Sequence, residues 1–205
     1  MNACDRFDVI IEFLVENPER LSRRNSSIDL DSSIDLDFLY SKYINAVEST
    51  LVLSTPTTIP DEAVSLILEV NLGYSRRDLN DIKIEHQQSM ASEKLVGALL
   101  ERYIASVLEP HGWVWCAGDF VRAVDFIKKT DDGWVLLQVK NRDNTENSSS
   151  SAIRDGTEIQ KWFRTYSRLT AQRRVNTNWH KFPDPIGADL LSERGFFDFI
   201  REYFE

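Results

Sequence analysis

Within DRFDVIIEFLVEN (5–17), apolar residues fall at 7, 10, 11, 14 and 15, the spacing of a helix with one buried face. Similar patterns predict helices over 36–49 and, after the Pro56–Pro60 turn, over 61–71. The clearest is MASEKLVGALLERYIASVLE (90–109), whose apolar positions 95, 96, 99, 100, 103, 104, 107 and 108 make a broad buried stripe. Ser92 is the expected N-cap, and Pro110 with His111–Gly112 stops the helix. The period then shortens. Short strands are expected at 113–116, 120–128 and 134–140, with Asp131–Asp132–Gly133 as the hairpin turn between the last two. A polar loop occupies 141–156, a helix carrying Trp162, Phe163 and Tyr166 is expected over 157–168, and the tail 190–204 is amphipathic. This order predicts an α/β (α+β) domain around a small mixed sheet, residues 90–205, preceded by a helical lobe, residues 1–89. The hexapeptide SSIDLD at 26–31 recurs at once at 32–37 and reads as an acidic linker, too short for a repeat array.

A length of 205 residues suits one compact domain, with 42% apolar and 28% charged residues. Two distant cysteines, Cys4 and Cys116, and three scattered histidines offer no zinc-ligand spacing and fit a reducing cytoplasm. The N-terminus reads as neither a signal peptide nor a membrane span. The net charge of −9 is unevenly spread. Residues 1–70 carry 5 basic and 13 acidic side chains, whereas residues 138–181 carry 9 and 4. A basic excess following an acidic lobe is compatible with DNA contact on one face, or with a solvated surface.

The stretch AGDFVRAVDFIKKTDDGWVLLQVKNRD (117–143) carries the candidate chemistry. Side-chain alternation puts Val135, Leu137 and Val139 on one face of their strand and Leu136, Gln138 and Lys140 on the other. In the preceding strand Asp125 is an acid in an apolar row, costly to bury without a partner. An acid leaving one strand and a Gln-x-Lys on the next suit metal-dependent phosphodiester hydrolysis. Oxygen ligands hold a hard divalent ion, and a lysine orients water or neutralises developing charge. Glu101, set between the small residues Gly97 and Ala105 on its helix, has room to reach the same pocket. Each residue also has a plain role open to it: Asp125 pairing with Arg122, Gln138 and Lys140 at a solvated strand surface, and Glu101 in an exposed helix pair.

The order of these elements resembles the PD-(D/E)XK nuclease fold. The runs EKLVGALLERYIASVLEPHGWVWCAGDFVRAVDFI and LLQVKNRDNTENSSSSAIRDG look like the type II restriction endonucleases of the SinI group. The resemblance implies a homodimeric, Mg²⁺-dependent enzyme cutting double-stranded DNA at GGWCC, with a companion cytosine methyltransferase protecting host DNA. Asp125, Gln138 and the carbonyl of Val139 are then the expected metal ligands. Gln138 stands where the superfamily has an acid, and Glu101 is the candidate to supply the missing charge. Two other readings stay open: a nuclease fold weakened to a DNA binder, and a structure-specific repair or recombination nuclease. Arg142, Asn144, Asn147, Ser148, Ser149, Ser150, Ser151 and Arg154 are the expected contacts in and before the loop. Lys161, Arg164, Arg168, Arg173 and Arg174 follow it as candidate phosphate partners.

Overall fold

The first helix is fixed at its N-terminus by a reciprocal cap. Asn2 Oδ1 accepts the Asp5 N–H at 2.9 Å and Asp5 accepts the Asn2 N–H at 2.9 Å. The computed structural model describes residues 1–54, 61–143, 158–167 and 176–205. Its elements are α1 (Ala3–Glu16), α2 (Ser33–Glu48), α3 (Glu62–Leu72), α4 (Arg76–Leu108), β1 (Trp113–Trp115), β2 (Phe126–Thr130), β3 (Gly133–Arg142), β4 (Gln160–Tyr166), β5 (Asn176–Thr177), α5 (Pro185–Leu190) and α6 (Glu193–Phe204). Two compact units result: Met1–Ser49 with Leu99–Glu205, and Thr50–Ala98.

In the larger unit the sheet order is β1-β2-β3-β4-β5; β3 and β4 are parallel and the other neighbours antiparallel. The mixed sheet flanked by helices is the restriction-endonuclease-like core expected from the sequence. Register divides its side chains. Ile127 faces Leu136 and Lys129 faces Trp134, so Trp134, Leu136, Gln138 and Lys140 share a face with Ile127. Helix α1 lies against this face, its Phe13 ring 5.2 Å from that of Trp134. Lys129 Nζ contacts Glu12 at 2.5 Å and Trp134 Nε1 donates to Glu16 at 2.6 Å. The opposite face holds Trp113, Phe126, Leu137, Val139 and Trp162. The C-terminal turns of α4 and helix α6 cover it. Trp162 stacks near Trp179 at 5.1 Å, which meets Tyr103 of α4 at 5.8 Å and Phe196 of α6 at 6.2 Å.

Four local expectations differ from what is observed. Residues 160–166 form strand β4, not a helix: Trp162 and Thr165 are buried while the residues between them are half-buried, and Trp, Phe, Thr and Tyr suit a pleated surface. Strand β2 starts at Phe126 rather than 120, because Asp119 and Ala123 both adopt φ 60° and break the extended run. Helix α4 begins at Arg76, so Ser92 is no cap; its hydroxyl donates back to the Gln88 carbonyl at 2.8 Å. The SSIDLD repeat is no linker. Ser32 of the second copy caps α2, and Asp35 accepts the N–H of Asp29 in the first at 2.8 Å.

Arg164 locks α6 to the sheet. On the face opposite Gln138, its guanidinium donates to Asn141 Oδ1 at 2.9 Å and to Glu193 Oε1 at 2.5 Å, while Glu193 Oε2 accepts the Trp179 indole N–H at 2.8 Å. Removing one partner strands the other in a desolvated place. Arg164→Ala is expected to lower unfolding stability by about 3 kcal/mol in urea titrations, with Glu193→Gln milder because it keeps an acceptor.

Candidate active site

Asp125 sits one residue before β2, yet the sheet holds it from both sides. Its N–H donates to the Leu137 carbonyl at 2.9 Å, and its own carbonyl accepts the Cys116 N–H at 2.9 Å. The carboxylate Oδ2 accepts the Val139 N–H at 2.7 Å, a charge-assisted bond. Contacts to residues 137 and 139 bracket Gln138 along β3. Gln138 is buried and Lys140, two residues on and on the same face, is half-buried.

Glu101 enters from α4. Its carboxylate accepts the Trp115 indole N–H at 3.1 Å. Burial, reinforced by the Asp125 carboxylate, pushes the Glu101 pKa up to about 8, against the opposing pull of the Trp115 bond and the Lys140 ammonium. Burial and the same two carboxylates also push the Cys116 thiol upward. Asp125, Glu101 and Lys140 are therefore within electrostatic reach of one another, with Gln138 beside them.

Three neighbours escaped the sequence reading. Trp115 orients Glu101. Arg102, next along the helix, donates to the carbonyls of Ala46 at 2.8 Å and Ser49 at 2.7 Å, satisfying the end of α2, and lies 5.8 Å from the Trp115 ring. Asp119 adds to the negative field on Glu101 from its left-handed backbone position. Only a Gly-Asp turn signal marked it in the sequence.

Among the described residues there is no group of three or more His, Cys, Asp or Glu able to hold a metal ion. The two carboxylates that influence one another there, Asp125 and Glu101, are hard oxygen donors of the type magnesium takes.

The candidate DNA contacts divide by face. Lys161 pairs in register with Gln138 and so shares the face of Lys140, its ammonium 4.6 Å from the Phe163 ring. Arg142 is exposed at the end of β3 on that same face. Arg164 points to the other side, into α6. Asn144, Asn147, Ser148, Ser149, Ser150, Ser151, Arg154, Arg168, Arg173 and Arg174 lie outside the described residues. The residues bordering those two segments meet: Asp143 accepts the N–H of Ser167 at 2.7 Å and its hydroxyl at 3.2 Å.

The family model described as SinI restriction endonuclease matches residues 2–205. The chain belongs to the SinI restriction endonuclease family. It is 47% identical over 204 residues to the type II restriction enzyme SinI of Salmonella infantis, covering 97% of this chain and 86% of that protein. It is 45% identical over 205 residues to the type II restriction enzyme Eco47I of Escherichia coli, with the same coverage of 97% and 86%. Among the described residues, no helix of this family member is long and apolar enough to cross a membrane.

The raised Glu101 pKa has a signed consequence for the metal-free protein. The folded state keeps a proton that the unfolded chain releases, so stability declines as pH rises from about 4.5 towards about 8. Glu101→Gln is expected to remove that decline. Urea midpoints of both proteins in EDTA, from pH 5 to pH 9, should diverge in favour of the glutamine variant with rising pH; a constant difference would contradict the assignment.

Proposed function

We propose that this protein is a homodimeric, Mg²⁺-dependent restriction endonuclease that cuts double-stranded DNA at GGWCC. In this reading a cytosine methyltransferase protects host DNA, and both work in a prokaryotic cytoplasm. The observation that carries the chemistry is the Asp125 carboxylate held on the Val139 N–H, in the strand that carries Gln138 and Lys140. The close relatives named as type II restriction enzymes support the reaction class.

Asp125, Glu101, the Gln138 amide oxygen and the Val139 carbonyl are the proposed metal ligands. A bound magnesium ion supplies positive charge to the scissile phosphate. Asp125 is held by backbone, so its orientation costs no side-chain entropy when DNA arrives. Glu101, losing its proton to solvent when an ion is held there, would provide the charge that Gln138 lacks. Lys140 orients the attacking water and offsets charge that builds on the phosphoryl oxygens. Lys161 and Arg142, on the same sheet face, continue the positive surface towards segments 144–157 and 168–175. The Asp143–Ser167 contact brings the borders of both segments to one corner, which favours their acting on one stretch of DNA.

A nuclease fold reduced to DNA binding is the second reading, suggested by Gln138. Glu101 argues against it, because a second carboxylate remains beside Asp125.

Plasmid digestion separates these readings. Cleavage should occur in Mg²⁺ or Mn²⁺ and cease in EDTA, and mapped ends should fall at GGWCC. Scattered ends would instead indicate a structure-specific nuclease. Asp125→Ala and Lys140→Ala should abolish cutting while retaining DNA binding in Ca²⁺. Gln138→Glu should stay active and Gln138→Ala should be slow; normal cutting by Gln138→Ala removes it from the ligand set.

Arg154 is the proposed base reader. Arg154→Ala should weaken cognate binding by about 1–3 kcal/mol, the scale of a bidentate base contact, and affect scrambled duplex less. Arg168→Ala and Arg173→Ala should lower affinity for both duplexes alike. Equal losses for Arg154→Ala on both would move specificity elsewhere.

A further inference from the structure

Residues 1–70 carry five basic side chains among thirteen acids, and four of the five gather in one place. Arg6 pairs with Glu109. The others, Arg20, Arg23, Arg24 and Lys42, border the loop that leads into Asp125, where Arg122 joins them. Backbone contacts assemble the group. Leu21 bridges Val121 in antiparallel fashion, the Ser22 N–H donates to the Phe120 carbonyl at 2.8 Å, and the Arg122 N–H donates to the Arg20 carbonyl at 2.6 Å. The short turn Arg23–Asn25 is locked by its buried last residue: Asn25 donates to Ser22 Oγ at 2.7 Å and accepts from Lys42 Nζ at 3.1 Å. The loop also touches α2, because a β-carbon at Gly118 would fall 3.2 Å from the Lys42 carbonyl carbon.

These cations are largely uncompensated. Arg20 has Glu19 at 3.3 Å, but among the described residues Arg23, Arg24, Lys42 and Arg122 form no ion pair, and Arg23 and Arg24 are exposed. Asp119, exposed on the same loop, offsets one charge at most. Like charges gathered in this way repel one another until a polyanion arrives. Their position says which polyanion. The Cys116 N–H closes the loop on the Asp125 carbonyl, and Arg122 precedes Asp125 by three residues, within about 10 Å of it along the chain. A duplex carries one charge for every ~1.7 Å of its axis, so DNA seated at Asp125 brings its flanking phosphates within reach of the same loop. We propose that Arg23, Arg24, Lys42 and Arg122 hold the sugar–phosphate backbone of duplex DNA on the flank of the cleaved bond, positioning it without reading sequence. The inference rests on the nuclease reading above and extends its contact surface into the acidic N-terminal lobe.

The test is fluorescence anisotropy of labelled cognate and scrambled duplexes with the full-length protein in Ca²⁺, across a salt series. Arg23→Gln/Arg24→Gln should weaken binding to both duplexes about tenfold or more and flatten the logarithmic salt slope by about 1.8, at roughly 0.9 per phosphate contact. Arg122→Gln should flatten it by about half as much. Arg23→Lys/Arg24→Lys should keep most of the wild-type slope, because a backbone contact needs the charge more than the planar fork. Arg194→Gln/Arg201→Gln removes the same charge from α6, where both guanidiniums contact Asp198, and should leave the slope unaltered. Wild-type affinity and slope in both glutamine variants of the cluster overturn the contact and leave the nuclease reading intact. An equal change in the α6 control also overturns it, since net charge alone then accounts for the effect. A loss confined to the cognate duplex overturns backbone holding in favour of base readout. A wild type that binds neither duplex overturns both readings. Should Arg122→Gln melt early, the exposed Arg23 and Arg24 decide alone.

Discussion

The bond from the Val139 N–H to the Asp125 carboxylate ties the candidate site of this protein to its sheet register. Asp125 falls just before β2, where Ala123 has already left the extended region, so the strand does not aim its side chain unaided. Backbone contacts to Leu137 and Val139 do that, and they hold only while Phe126 stays opposite Leu137. A slip of one residue would turn Gln138 and Lys140 to the opposite face. The aromatic packing of Trp134 on α1 and of Trp162 on Trp179 resists such a slip on both sides of the sheet.

Around that bond the protein gathers acidic groups and limits their charge by raising the Glu101 pKa to about 8. Glu101 and Asp125 oppose one another in a partly dry place, and the Lys140 ammonium offsets them only in part. The elevated Glu101 pKa expresses the cost. Its orientation nevertheless persists, because Trp115 holds the carboxylate and Arg102 lies near Trp115 while binding the last carbonyls of α2. Two carboxylates brought together at the cost of a raised pKa make the place where added positive charge would be most welcome.

Much of this was legible from residue order. Helix α1 and the hairpin at Asp131–Gly133 followed from local period and alternation, because contacts between near neighbours set them. Strand β4 was misread for the opposite reason. Trp162, Phe163 and Tyr166 also satisfy a helical spacing, and the deciding partner is a parallel strand some twenty residues earlier that no local window contains. Trp115, Arg102 and Asp119 were invisible as site residues because their roles depend on packing between elements distant in sequence. The SSIDLD duplication looked like spacer composition, yet the same serines and aspartates are the groups that cap helices.

The burial of Arg164 changes how the basic segment should be counted. Affinity for duplex DNA falls with salt in proportion to the number of condensed cations that the protein displaces. A guanidinium already matched to Glu193 and packed over the Phe196 ring displaces none of them. Of the basic side chains in residues 138–181, Arg164 is thus committed to the fold and would not add to such a salt dependence.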